Sequence, residues 1–245
     1  MPNSMRQGIW FVALLGVFVS CLAASWLSLA RFNYAYGVWY ELFEIEQHID
    51  IFGPQNNFKQ GFAELPKAER QQAFVQISQA VHQQGEGLKT IHYHYAGQEI
   101  QLLTKDEITH LQDVANLISW LKKTALWIAV LSFLLLVYLF KTNSLLQLKK
   151  QLLWLFGLIG VSTLVVLVVG AKKVFYQMHI WIFPEGHPWF FYYQDSLMST
   201  MMKAPDLFAG IAVAIITGAI VLFMAALLAV RALMHHRQFK NLERV

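Results

Sequence analysis

Cysteine is almost absent from this chain. Its one cysteine among 245 residues is Cys21, so no intramolecular disulfide can form. Charge is scarce as well: 14% of residues are charged, and the formal net charge is only +4. The basic residues are spread over several segments, which excludes the clustered basic face of a nucleic-acid binder. Several catalytic signatures are also missing. There is no GxSxG nucleophile elbow, no HExxH and no glycine-rich phosphate loop. What remains is apolar: 56% of residues are hydrophobic and the mean hydropathy is +0.42, as in an integral membrane protein.

Four continuously apolar runs divide the sequence: residues 8–30, 124–140, 152–171 and 207–233. Each is near the roughly 20 residues that cross about 30 Å of hydrocarbon. They do not alternate, so they read as helices, which satisfy their own backbone in lipid. The segment Phe18-Val19-Ser20-Cys21 faintly resembles a lipoprotein signal box. The apolar run continues through Ala30, beyond the length of a cleaved signal, so an uncleaved span with Cys21 as a small buried side chain is expected.

Arg231, Arg237, Lys240 and Arg244 follow or end the last run, in and before a tail at 234–245. Lys141, Lys149 and Lys150 lie in the link between runs two and three, and Arg6 precedes the first. The positive-inside rule then places both termini and that link in the cytoplasm, although Lys172 and Lys173 oppose this weakly. The fold class expected is a mainly α membrane protein of four transmembrane helices. A small extracytoplasmic domain, 31–123, separates spans one and two, and an aromatic-rich extracytoplasmic loop, 172–206, separates spans three and four.

Within 31–123, Leu65-Pro66-Lys67 opens a helix with Pro near its first turn, and Gly85-Glu86-Gly87 stops it. Ile91 to Tyr95 alternates and turns at Ala96-Gly97, as a hairpin would. Thr104 is an N-cap with Glu107 as its capping-box partner. The helix that follows carries Glu107, His110 and Asp113 at three-residue spacing, hence on one face. Two carboxylates beside an imidazole can set its tautomer and raise its basicity; a capped, exposed polar face explains the spacing equally simply. In 172–206 an interfacial aromatic belt accounts for Trp181, Trp189 and Tyr192. It does not account for His179, or for Asp195-Ser196, beside the hydrocarbon boundary. His92 and His94 could bind a metal together with His110 and Glu107, or simply be exposed; no metal is expected. Cys21 lies in the membrane, so acyl transfer here would use a His general base without a thiol acyl-enzyme.

The run from Leu103 to Val114 resembles the Glu-x-x-His-x-x-Asp-Val signature of the lipoprotein intramolecular transacylases, a family of four-span bacterial membrane proteins. Met178-His179, Phe183, Trp189 and Asp195-Ser196-Leu197 are similar to that family's Phe-His, Phe, Trp and Asp-x-Leu pattern before the last span. Met178 departs from it, standing where the family has Phe. The His92–Tyr95 hairpin, Lys172-Lys173 and the longer tail have no counterpart in the pattern. The resemblance implies a membrane acyltransferase. It moves an acyl chain from the sn-2 ester of a diacylglyceryl lipoprotein to the α-amine of its N-terminal cysteine, giving lyso-form lipoprotein.

On that resemblance His110 and His179 are catalytic, one as base and the other as oxyanion or proton donor. Glu107 and Asp113 orient His110, while Trp189 and Asp195 shape the site or fix His179. Phe175, Phe183 and Leu197 contact acyl chains. The partners are diacylated lipoprotein N-termini and membrane lipids in the bacterial cytoplasmic membrane. No cofactor is implied, because ester-to-amide transfer needs none. Two other readings are a non-enzymatic membrane protein binding a lipid or protein through its outer domain, and a metal-dependent hydrolase built on His92, His94, His110 and Glu107.

Overall fold

A computed structural model describes residues 3–142, 146–204 and 206–242. Residues 143–145 of the link and 243–245 of the tail, with Arg244, lie outside the described residues. In chain order the helices are α1 (Asn3–Arg31), α2 (Tyr36–Leu42), α3 (Ile45–Phe52) and α4 (Lys67–His82). A hairpin of β1 (His92–Tyr95) and β2 (Gln98–Gln101) follows. Then come α5 (Lys105–Lys141), α6 (Leu148–Val169), α7 (Ala171–Ile182), α8 (Leu197–Met202) and α9 (Asp206–Leu242). Four of these helices are long and apolar enough to cross a membrane: α1, α5, α6 and the Asp206–Met234 part of α9. The protein is thus mainly helical and membrane-integral.

Helix α5 has 37 residues and is roughly 55 Å long at about 1.5 Å per residue. That exceeds the hydrocarbon thickness of about 30 Å. Its apolar stretch begins after Lys122-Lys123, so the first turns, with Glu107, His110 and Asp113, stand outside the spanning portion. In 172–206, where a loop is expected, the chain is helical as far as Ile182. Tyr176, His179 and Phe183 follow one another at spacings of three and four, the helical period that explains it.

The chain folds as two compact units. The first comprises residues 1–26, 122–175 and 215–245. Its core gathers Trp10, Ala13 and Leu14 of α1, Leu139 of α5, Leu155 of α6, and Phe223, Leu227 and Val230 of α9. Without a hydrophobic drive between helices in lipid, close backbone approach and polar contacts hold such a unit. A Cβ on Gly16 would lie 2.0 Å from Ser132 Oγ, and one on Gly218 would lie 2.4 Å from Ser25 Oγ. Ser25 Oγ donates to the Ile215 carbonyl at 2.9 Å, and Gln151 Nε2 donates to Gln7 Oε1 at 2.9 Å.

The second unit joins residues 27–121 with 176–214. The segment expected as a domain by itself therefore shares its core with the segment before the last span. Tyr36, stacked on Phe74 with ring centroids 4.0 Å apart, donates its hydroxyl to the Met201 carbonyl at 2.6 Å. Lys203 Nζ donates to the Phe43 carbonyl at 2.6 Å. Pro66 precedes the first turn of α4, where a missing N–H costs nothing. Gly85 and Gly87, with φ +87° and +88°, supply the left-handed backbone that ends this segment. In the hairpin, Tyr93 pairs with Ile100 and Tyr95 with Gln98, around the Ala96-Gly97 turn. Tyr95 packs over Gly61, whose φ is +77° and where a Cβ would fall 2.0 Å from the ring.

Candidate active site

The site is assembled on the first turns of α5. Glu107 has no exposed surface. Its Oε2 accepts the Thr104 backbone N–H at 2.6 Å, and its own N–H reaches Thr104 Oγ1 at 3.3 Å, so the capping box is complete. Its other oxygen, Oε1, accepts the Ser196 hydroxyl at 2.5 Å and the Met198 N–H at 3.3 Å. Ser196 Oγ in turn caps α8 by accepting from Ser199 N at 2.9 Å. Glu107 thus joins two helix starts about 90 residues apart. Both its oxygens are committed away from His110.

Asp113 also has another partner. Its Oδ2 accepts His187 Nδ1–H at 2.6 Å. Glu107 and Asp113 are expected to orient His110; remote donors hydrogen-bond to both carboxylates. Asp113 still acts on His110 through its charge, which favours the protonated ring.

His110 is enclosed by aromatic rings, with Phe183 at 5.0 Å and Phe191 at 5.7 Å between centroids. Burial holds its pKa down, and the positive charge of a protonated His179 lowers it further; together they outweigh Asp113 and bring it from 6.5 to about 4. His110 is therefore neutral at pH 7. His179, on α7, packs against the same Phe183 at 5.3 Å and against Trp189 at 4.8 Å. Trp189 also meets Tyr176, one turn before His179, at 5.4 Å. Two histidines from remote helices thus flank one phenyl ring under an aromatic cover.

Asp195 lies further along, where its Oδ1 accepts Asn57 Nδ2–H at 2.8 Å and Asn57 N–H donates to the Gln194 carbonyl at 2.7 Å. It fixes the end of the aromatic segment. Leu197 has no accessible surface; it is core, and an acyl chain has no side of it to touch. Phe175 is exposed and belongs to the first unit. Of the three expected acyl contacts, Phe183 stands against both histidines. Tyr176, His187 and Phe191 complete the cluster and lie outside the expected set. Helical spacing links Tyr176 to His179, and two-residue alternation links 187, 189 and 191, so both signals were present in the sequence. His92 Nδ1 pairs with the Thr90 carbonyl at 2.8 Å. Among the described residues no three His, Cys, Asp or Glu side chains converge as a metal site requires.

The comparisons with known proteins agree with this architecture. The family model described as "Lipoprotein intramolecular transacylase Lit" matches residues 11–205. Solved structures of the membrane-integral lipoprotein intramolecular transacylase Lit from Bacillus cereus share the fold. One, carrying a His-to-Arg substitution, has 14% identity and a TM-score of 0.67, over 97% of this chain and 95% of that one. Another has 16% identity and a TM-score of 0.65, over 97% and 100%. No curated protein sequence matches the chain. With a family model covering most of its length and those structures sharing its fold, the chain belongs to the lipoprotein intramolecular transacylase family.

Proposed function

We propose that this protein transfers the sn-2 acyl chain of a diacylglyceryl lipoprotein to the α-amine of the same lipoprotein's N-terminal cysteine. The observation that carries the reading is the pairing of His110 and His179 around Phe183, in a chain of this family. The reaction is aminolysis. The α-amine, with a pKa near about 8, attacks as the neutral base. Its nitrogen bonds to the ester carbonyl carbon, the carbonyl oxygen becomes an oxyanion, and the carbon–oxygen bond to glycerol then breaks. One proton moves from the attacking nitrogen to the leaving glyceryl oxygen. Atoms and charge balance without a cofactor.

His110 suits that proton transfer. It is neutral at rest and so can accept. Burial makes its imidazolium a stronger acid than an ordinary one, so it gives the proton up readily to the alkoxide. His179, opposite, would donate its N–H to the oxyanion. Amine and ester belong to one bound molecule, so proximity supplies much of the rate. Phe183 and Phe191 offer apolar surface to the acyl chain. Both termini would face the cytoplasm and the second unit the outer surface of the bacterial cytoplasmic membrane, where mature lipoprotein N-termini lie.

Expression in a host that leaves lipoprotein N-termini free tests the reading. Mass spectrometry of those lipoproteins is expected to show N-acyl-cysteine with a lyso-glyceryl group. His110→Ala or His179→Ala should restore the free amine. Normal N-acylation by both variants would remove the two histidines from the mechanism.

A further inference from the structure

After α7 the chain turns at Pro184–His187, with His187 N–H donating to the Pro184 carbonyl at 3.2 Å and Gly186 at φ +81°. It then runs on without helix or ladder as far as Tyr192. Along this strap Trp189, Phe191 and Tyr193 are partly shielded while Phe190 and Tyr192 are exposed, the alternation of an extended chain. The shielded side meets the catalytic pair: Trp189 on His179, Phe191 on His110. The far end is fixed by Asn57 through Gln194 and Asp195, and by Tyr193 Oη–H donating to the Ala204 carbonyl at 2.6 Å. The near end is held by His187 on Asp113, one helical turn beyond His110. The carboxylate there is 13% exposed and the imidazole 41%. An ionised carboxylate only accepts, so His187 Nδ1 carries the proton of this bond.

We infer that His187 is a positioning residue of the transfer reaction: by donating to Asp113 it seats the strap so that Trp189 and Phe191 close over His179 and His110 and keep water from the ester carbonyl. The inference rests on the transacylase reading. Water and the α-amine compete for one carbonyl carbon, and attack by water would release a free fatty acid instead of forming an amide. A transferase of this kind needs a cover, and a cover needs a fastening at the end nearest the reacting atoms.

The test uses the full-length protein in detergent as wild type, H187A and H187N. Asparagine places an amide N–H close to the position of imidazole Nδ1, so H187N keeps the donor. Two readouts are taken. One is the ratio of N-acyl product to free fatty acid from a synthetic diacylated lipopeptide. The other is the rate at which diethyl pyrocarbonate modifies His110, followed by peptide mass spectrometry. H187A should raise the fatty-acid share and the His110 labelling rate several-fold, at an unchanged melting temperature, and H187N should return both toward wild type. Lower turnover with an unchanged product ratio and unchanged labelling would overturn the inference. If the wild type makes no amide at all, the transacylase reading fails on its own. The labelling then still decides the strap, and equal rates in wild type and H187A would refute it.

Discussion

In the first unit the hydroxyls of Ser20, Ser132, Ser162 and Thr163 donate to carbonyls one turn back on their own helices, at 2.7–2.9 Å. In the second unit polar side chains reach across the sequence: Ser196 to Glu107, His187 to Asp113, Asn57 to Asp195. A helix in lipid satisfies its backbone locally, and a hydroxyl folded back on it leaves nothing for the membrane to solvate. A unit that must hold two histidines in register has the opposite need. Its donors and acceptors are spent on distant segments, because those segments carry the groups to be positioned. Apart from its two long-range ties, Ser25 to Ile215 and Gln151 to Gln7, the first unit can therefore tolerate substitution as long as it stays apolar and closely packed, while the second depends on more such pairings.

That contrast breaks most sharply at the histidines. His110→Ala or His179→Ala should lower turnover by about 10²–10⁴-fold, the usual worth of a positioned acid or base, with little change in melting temperature. A large loss of stability in both variants would make the pair structural instead. Glu107→Ala should do the reverse. It strands the buried Ser196 hydroxyl and two backbone N–H groups, at about 1–3 kcal/mol for each group left unpaired. Unfolding of the detergent-solubilised protein should show a loss of roughly 3 kcal/mol, with Glu107→Gln milder because it keeps an acceptor oxygen. Equal stability of Glu107→Ala and wild type would deny the carboxylate its role as a tie.

In the first unit, Gly218→Ala places a methyl against Ser25 Oγ and should cost about 1–3 kcal/mol by overpacking. Replacing Ser25 by Gly in the same chain should recover part of it, and failure to do so would mean that the helices do not meet there.

Stability and activity should also depend on pH. The folded pKa of His110 is about 4 against 6.5 unfolded. Between those values the unfolded chain binds more protons, so this group's stabilisation is present above pH 6.5 and is lost as pH falls toward 4. Burial lowers the pKa of His48 as well, in the same sense. For activity, His110 is mostly neutral over the upper part of that window. The acid limb of kcat/KM should follow the substrate amine near about 8, with no inflection near 6.5 from His110. An inflection there that disappears in His110→Gln would contradict the assignment.

The four long helices were legible because their composition decides them regardless of neighbours. So were the Thr104–Glu107 capping box and the Ala96-Gly97 turn, which depend on residues within a few positions. The partners of the site carboxylates were not. Spacing puts Glu107, His110 and Asp113 on one helical face, but neighbours on a helix stand about 5–6 Å apart at Cβ, and which donor fills each acceptor depends on where residues 187–198 return. Leu197 illustrates the same limit. As a leucine near a span it suits an acyl chain, yet capping by Ser196 turns α8 inward and buries it.

The most direct test of the account is mass spectrometry of a diacylated lipopeptide incubated with the purified protein. Intramolecular transfer leaves the total mass unchanged and yields fragments carrying N-acyl-cysteine and a lyso-glyceryl group. Loss of one acyl chain from the peptide, with no amide formed, would contradict it and make the protein a hydrolase.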